Sequence, residues 1–421
     1  MKLVLASYGT RGDIEPSVVV GRELQRRGHD VYIAVPPDLV GFAETAGLAA
    51  VPYGMDTQAW LGVFRNLFTS IFSTFWRIRD QRRWWRELWE VSDRSWAQMS
   101  STLKSLAEGA DLVLAGQSYQ EIAANVAEYY DIPLATLHHV PMRPNGQVVA
   151  ILPAPAARFA VTVFDWLCWR LIKKVEDAQR RELGLPKAKS SSPRRIAERG
   201  SLEIQAYDEI VFPGLAAEWA KWEHERPFVG TLTMELATSA DDDVASWIAA
   251  GTPPIFFGFG SMPVESPSDT IEMISGACAQ LGERALICAG WSDFDDPRLD
   301  HVKVVGAVNY ASIFPICRAA VHHGGSGTTA ASLRAGIPTL ILSVDGNQII
   351  WGAQLKRLKV GTHRRLSATT RESLVADLRR ILAPDYAIRA RELAARMTKP
   401  AESVTKAADL AENFAGSRRF A

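Results

Sequence analysis

Short unbroken apolar runs alternate with longer stretches of helical periodicity along the whole chain. An apolar run closed off by turn residues suits a strand buried on both faces, and its alternation with helical stretches is the pattern of parallel sheets covered by helices. The first half predicts strands at residues 3–7, 30–35, 50–53, 111–115, 133–137 and 202–206. The second half repeats the rhythm at residues 254–259, 284–289, 303–305, 319–322 and 338–342. Between them, residues 228–243 turn polar and acidic, as a linker does. The expected fold is therefore α/β: two Rossmann-like, doubly wound parallel-sheet domains, at residues 1–227 and 244–395, facing an interdomain cleft. Residues 396–421 are expected as a C-terminal helix packing back on the first domain. Open sheets of this kind bind ligands beyond the carboxyl ends of their strands, so the cleft is where chemistry is expected. Residues 186–199, rich in Lys, Ser, Pro and Arg, read as an exposed loop.

Composition narrows the classes. A chain of 421 residues exceeds one ordinary core, which supports two domains. Lys and Arg total 47 against 47 Asp and Glu, a balance that calls for no nucleic acid and no strongly acidic partner. The four cysteines are widely spaced, lack metal or redox spacing, and read as reduced core residues. The amino terminus is apolar for too few residues to be a signal segment, and no run is long enough to span a membrane, so cytoplasm is the expected compartment.

Three segments at predicted strand ends carry candidate chemistry. Residues Val321-His322-His323-Gly324-Gly325-Ser326-Gly327-Thr328-Thr329 empty an apolar run into a glycine-rich turn followed by a helix. Free N–H groups and the positive end of the helix dipole there attract phosphate oxygens; His322 is either a further donor or a structurally satisfied residue. Gly9-Thr10-Arg11-Gly12-Asp13-Ile14-Glu15-Pro16 follows the first strand, and Asp13 is either a general base in the cleft or a helix N-cap. Asp345-Gly346-Asn347-Gln348 offers groups suited to sugar hydroxyls or to a solvated loop. Ser261 and Trp291 end two further strands, the latter a ring able to stack on a nucleobase or to fill a core. Asp241-Asp242-Asp243 reads as a solvated charge run rather than a metal site.

The stretch from Val321 to Gly352 resembles the donor-binding signature of nucleotide-sugar glycosyltransferases with the two-domain GT-B fold. His322 to Thr329 with Arg334-Ala335-Gly336-Ile337-Pro338 is similar to bacterial enzymes that glycosylate glycopeptide antibiotics, sterols and mycobacterial glycopeptidolipids. Gly9 to Pro16 resembles the same family's Gly-[Ser/Thr]-x-Gly-Asp-x-x-Pro motif. The resemblance implies an inverting, metal-independent transfer from a UDP- or TDP-sugar, with Asp13 as the base and no cofactor. Gly12, Ser261 and His322, with Gly324, Gly325, Ser326, Gly327 and Thr328, would surround the diphosphate. Trp291 and the backbone at Val308 would hold the base. Asn347 and Gln348 fall where the family usually has Asp-Gln on the sugar, which implies a donor other than an ordinary glucose nucleotide, such as a deoxyhexose.

Residues 60–96 interleave aromatic with arginine side chains and, like residues 161–174, suit a lipid acceptor pocket, an anionic membrane surface, or plain amphipathic helices. Phe72, Trp76, His138 and His139 are the acceptor candidates. The expected partners are a nucleotide-sugar and a hydrophobic acceptor such as a lipid, lipopeptide or sterol, with peripheral contact at the inner face of the membrane. Two other classes fit the architecture: a sugar-nucleotide epimerase, and a non-catalytic nucleotide-sugar-binding partner protein.

Overall fold

A computed structural model describes residues 1–61, 94–148, 152–261, 264, 266–292, 294–295, 297–344 and 346–417. It contains two six-stranded sheets with parallel pairing throughout. In the first, β1 (Lys2–Ala6), β2 (Asp30–Val35), β3 (Ala49–Pro52), β4 (Leu112–Ala115), β5 (Leu134–His138) and β6 (Leu202–Gln205) take the spatial order β3-β2-β1-β4-β5-β6. In the second, β7 (Ile255–Gly258), β8 (Ala285–Cys288), β9 (Val302–Val305), β10 (Ala319–His322), β11 (Thr339–Ser343) and β12 (Gly361–Arg365) take the order β12-β11-β10-β7-β8-β9. Strands β4, β7, β8, β10 and β11 are buried at every position, which is why they appear as unbroken apolar runs.

Each order reverses direction once. β1 sits between β2 and β4, with Leu3 opposite both Val31 and Leu112. β10 sits between β11 and β7, with Val321 opposite Leu340 and Phe257. At such a reversal the connections leave to opposite faces and open a crevice beyond the strand ends. The crevices are formed by the loops after β1 and β4 in one unit and after β10 and β7 in the other.

Strand β12 was not expected. Its sequence, Gly-Thr-His-Arg-Arg, is polar because it forms an edge whose outer end is exposed. Residues 186–199 are also not a simple loop: they contain the helix Ser192–Glu198, anchored by buried Ser192 and Ile196. Cys168 is exposed, whereas Cys278, Cys288 and Cys317 are buried.

The last helix, Pro400–Ser417, returns to the first, Arg11–Arg26. Its Ala407, Ala408, Ala411 and Ala415 recur at helical spacing and are buried in one cluster with Val18 and Leu24. Small residues allow close approach, and Arg27 ties the edge through Asp409 at 2.6 Å and Glu412 at 2.9 Å.

Candidate active site

Between the two units lies a cleft of about 1990 Å³, lined by the loops at both reversal points. On its first wall Thr10 is the N-cap of the helix Arg11–Arg26, and Asp13, three residues on, closes a capping box. Asp13 Oδ2 accepts the Thr10 N–H at 2.7 Å and the Thr10 hydroxyl at 3.0 Å. Gly9, at φ +135°, lets the chain fold over this carboxylate; a Cβ there would collide with Asp13. Capping occupies one oxygen only. The other, Oδ1, lies 3.3 Å from His139 Nε2, and the Asp13 side chain remains 29% exposed to the cleft. Desolvation pushes the carboxyl pKa up, but the His139 contact and the Thr10 donors more than offset it and hold it below the ordinary carboxylate range. The N-cap is Thr10 rather than Asp13, which stands at the third helical position, and its part in the capping box leaves Oδ1 open to serve as a base.

His139 follows β5 and lines the cleft, its backbone N–H donating to Gln117 Oε1 at 3.0 Å. His138 does not fit an acceptor contact. As the last residue of β5 it points to the opposite side, is fully buried, and places Nδ1 3.4 Å from Gln205 Nε2. Burial and neighbouring Arg143 push its pKa well down, so it is neutral core. Phe72 and Trp76 lie outside the described residues.

Tyr8 and Tyr119, which the sequence did not single out, build the wall beside Asp13 with Trp60, the first aromatic residue of the segment 60–96. Tyr8 packs edge-on against Tyr119 at 5.1 Å and Trp60 at 6.1 Å between ring centroids, and all three line the cleft. Tyr119 is held at φ +58°, a left-handed conformation that a bulky residue adopts only when its surroundings impose it. The available signal was position: Tyr8 and Tyr119 follow β1 and β4, the two strands flanking the reversal.

On the second wall β10 ends at His322, Gly324 turns the chain at φ +97°, and the helix Ser326–Arg334 begins with Gly325 as N-cap. A Cβ on Gly324 would meet Ile341 Cγ2 at 2.7 Å, so glycine is required sterically as well as conformationally. No side chain caps this helix, and its first-turn N–H groups face the cleft with Gly324, Gly325, Ser326, Gly327 and Thr328 in the lining. His322 departs from the expected placement. It is fully buried beneath the turn, its Nδ1 accepting the Gly324 N–H at 3.0 Å. That bond fixes the neutral tautomer with the proton on Nε2, an atom without a hydrogen-bond partner among the described residues. The histidine on the cleft wall is His323. Burial and the neighbouring ring push His322 down to about 3, and burial pushes His323 down to about 4.

Ser261 and Trp291 line the cleft from the loops after β7 and β8, which are clasped by the Trp291 N–H donating to Gly260 O at 3.0 Å. Val308 and Gly12 complete the lining. Asn347 is exposed to the cleft, whereas Gln348 is buried with its Oε1 accepting the Val344 N–H at 2.6 Å. Asp241 is no free charge: it accepts from the Thr238 N–H at 2.7 Å, the Thr238 hydroxyl at 2.8 Å and the Asn309 N–H at 2.8 Å, stapling its helix start to the loop after β9.

Two domain families match this chain: the Glycosyltransferase family 28 N-terminal domain over residues 3–106, and the erythromycin biosynthesis protein CIII-like C-terminal domain over residues 297–413. An uncharacterised glycosyltransferase of Mycobacterium tuberculosis is 61% identical over 423 residues, spanning 100% of both chains. A sterol 3-beta-glucosyltransferase of Arabidopsis thaliana is 29% identical over 86% of this chain and 57% of its own length. Among solved structures, the glycotransferase of kitacinnamycin superposes with a TM-score of 0.73 at 17% identity, covering 98% of each chain. The Streptomyces glycosyltransferase SsfS6, complexed with thymidine diphosphate, gives a TM-score of 0.58 at 20% identity over 96% of this chain and 98% of its own. Those two likenesses speak for the fold; the end-to-end identity speaks for kinship, and by it the chain belongs to the UDP-glycosyltransferase family of GT-B sugar-transferring enzymes.

Proposed function

We propose that this glycosyltransferase moves a hexose or deoxyhexose from a UDP- or TDP-sugar to a hydroxyl of a hydrophobic acceptor, with inversion at the anomeric carbon. The observation that carries the reading is the opposition of Asp13 and the Gly324–Thr328 turn across one cleft. The acceptor oxygen attacks the anomeric carbon as the bond to the diphosphate oxygen breaks. Its proton passes to Asp13 Oδ1, and the diphosphate departs with the bonding pair. A positioned base of this kind contributes about 10² to 10⁴ in rate. The leaving charge meets the first-turn N–H groups and the helix dipole, preorganised donors that stabilise it with no step assigned to a metal.

Several features support the finer assignments. The bound thymidine diphosphate of the SsfS6 structure favours a pyrimidine nucleotide. Trp291, Val308 and Ser261 are proposed for the base and phosphate end, and His322 is proposed to act beneath the turn by fixing Gly324 rather than by direct charge. Asn347, which faces the cleft with an amide able to donate and accept, is proposed for the sugar; Gln348 has its oxygen engaged within its own loop. The Tyr8, Trp60 and Tyr119 wall fits an apolar acceptor, as does the likeness to a sterol glucosyltransferase.

The test is Asp13→Asn, with transfer measured by release of nucleoside diphosphate in the presence of acceptor and donor affinity measured by calorimetry. Transfer is expected to fall at least a hundredfold with donor affinity nearly unchanged. Undiminished turnover overturns the role of Asp13. Conversion of donor with no acceptor present would point to an epimerase instead.

A further inference from the structure

The helix Ala154–Glu182 is seated on the first unit mainly through its carboxyl-terminal half, where Val175, Glu176, Gln179 and Arg180 are buried. Among its described residues before that point only Ala157 and Trp169 are buried. Six large apolar side chains of this stretch stand out into solvent. Phe159 is 71% exposed, Leu171 59% and Trp166 52%, and Val163, Phe164 and Leu167 are exposed with them. At 3.6 residues per turn these six fall within an arc of about 160°, and from Phe159 to Leu171 they run about 18 Å along the axis. A continuous exposed apolar stripe of that extent marks a docking surface.

The charges on the stripe identify what docks. Between residues 156 and 174 the arc contains two charged side chains, Arg170 and Lys174, both cationic and exposed. Arg170 lies over the Trp166 ring at 5.8 Å, keeping a cation beside the aromatic edge. The carboxylate of this stretch, Asp165, falls outside the arc. Of the remaining cations, Arg158 is paired with Glu218 at 2.6 Å and Lys173 with Asp177 at 2.8 Å. An apolar stripe carrying large aromatic rings, edged by cations and free of carboxylates, complements a layer with an apolar interior and an anionic surface. None of the described helices is long and apolar enough to cross a bilayer, so the fit is to its surface.

We infer that the exposed face of Ala154–Glu182 docks on an anionic lipid bilayer, lying in the interface with Phe159, Trp166 and Leu171 below the headgroups and Arg170 and Lys174 against the phosphates. This reading is independent of the acceptor's identity, because the stripe is not part of the cleft lining.

Sedimentation of the full chain with sucrose-loaded vesicles tests it. Retention is expected on equal mixtures of phosphatidylcholine and phosphatidylglycerol at low salt, with little on phosphatidylcholine alone. Arg170→Glu with Lys174→Glu should lower partitioning on the order of tenfold or more, and Phe159→Ser with Trp166→Ser and Leu171→Ser should abolish it. Donor affinity and circular dichroism should stay unchanged in both variants, showing that the loss is not unfolding. Failure of the parent chain to sediment with anionic vesicles, or equal retention of the triple serine variant, overturns the proposal. So does a dimer, seen by analytical ultracentrifugation, that the triple variant converts to monomer without any vesicle binding, since a second copy would then own the surface.

Discussion

His139 Nε2 stands 3.3 Å from Asp13 Oδ1, joining the loop after β5 to the first turn of the helix Arg11–Arg26 across the mouth of the first sheet. The contact is local in space and distant in sequence. It helps hold the Asp13 carboxyl below its usual range, and it fixes the oxygen that the Thr10 cap leaves unused. His139→Ala removes an influence that lowers that pKa, so the pKa of Asp13 should rise. The acidic limb of kcat/KM, where a base must be ionised, should then move to higher pH, with kcat down about tenfold or more. A uniform drop in rate with an unmoved acidic limb would reduce His139 to a packing residue.

The two histidines at the end of β10 make a separate prediction. With His322 pushed down to about 3 and His323 to about 4, both rings are neutral across the physiological range. A nucleotide-sugar has no terminal phosphate monoester to titrate near neutrality. Its dissociation constant, measured by calorimetry, should therefore be flat from pH 5.5 to 8. Affinity that strengthens as pH falls through about 6.5, the ordinary histidine range, would show that one ring charges on binding.

Gly324 is expected to tolerate no side chain. Alanine there would adopt a left-handed conformation at φ +97° and press on Ile341, a combination costing about 1–3 kcal/mol. The mechanistic consequence should exceed the thermal one, because the turn sets the first N–H groups of Ser326–Arg334, the donors proposed to meet the diphosphate. Gly324→Ala should lower the melting temperature by several degrees and reduce nucleoside diphosphate affinity at least tenfold. A variant that melts lower but binds normally would separate the turn from the ligand.

Much of the fold was legible because burial on both faces writes a strand as an unbroken apolar run, as in Leu112–Ala115 or Thr339–Ser343. Strand β12 was not, since an edge strand ending in Arg364 and Arg365 carries no such run. In the site, the positions of Asp13 and the Gly324–Thr328 turn were legible from their place at strand ends. Which of two adjacent histidines faces the cleft was not. His138 and His139, like His322 and His323, are consecutive residues at the end of a strand, where successive side chains point to opposite sides. The sequence names the pair, but its parity depends on where pairing stops, and in both cases the second residue is the one that lines the cleft. Tyr119 was hidden for another reason: its left-handed backbone, which no local sequence preference announces, places its ring beside Tyr8.

Arg334 closes the helix that begins at the glycine turn, and its guanidinium ties three segments together. It donates to Thr231 O at 2.7 Å and Thr233 Oγ1 at 3.1 Å in the stretch joining the two sheets, and to Thr398 O at 3.0 Å ahead of the last helix. Asp208, 3.8 Å from the same guanidinium, accepts the Thr398 N–H at 2.7 Å. Both crossings between the units therefore converge on one side chain that also lines the cleft. Arg334→Ala strands these partly buried acceptors and should destabilise the chain by about 1–3 kcal/mol in urea unfolding. Arg334→Lys, which keeps the charge but lacks the planar fork that donates to both segments at once, should recover little of that loss. If the lysine variant unfolds at the urea midpoint of the parent chain, the arginine contributes charge alone, and the convergence of the two crossings on its guanidinium is incidental.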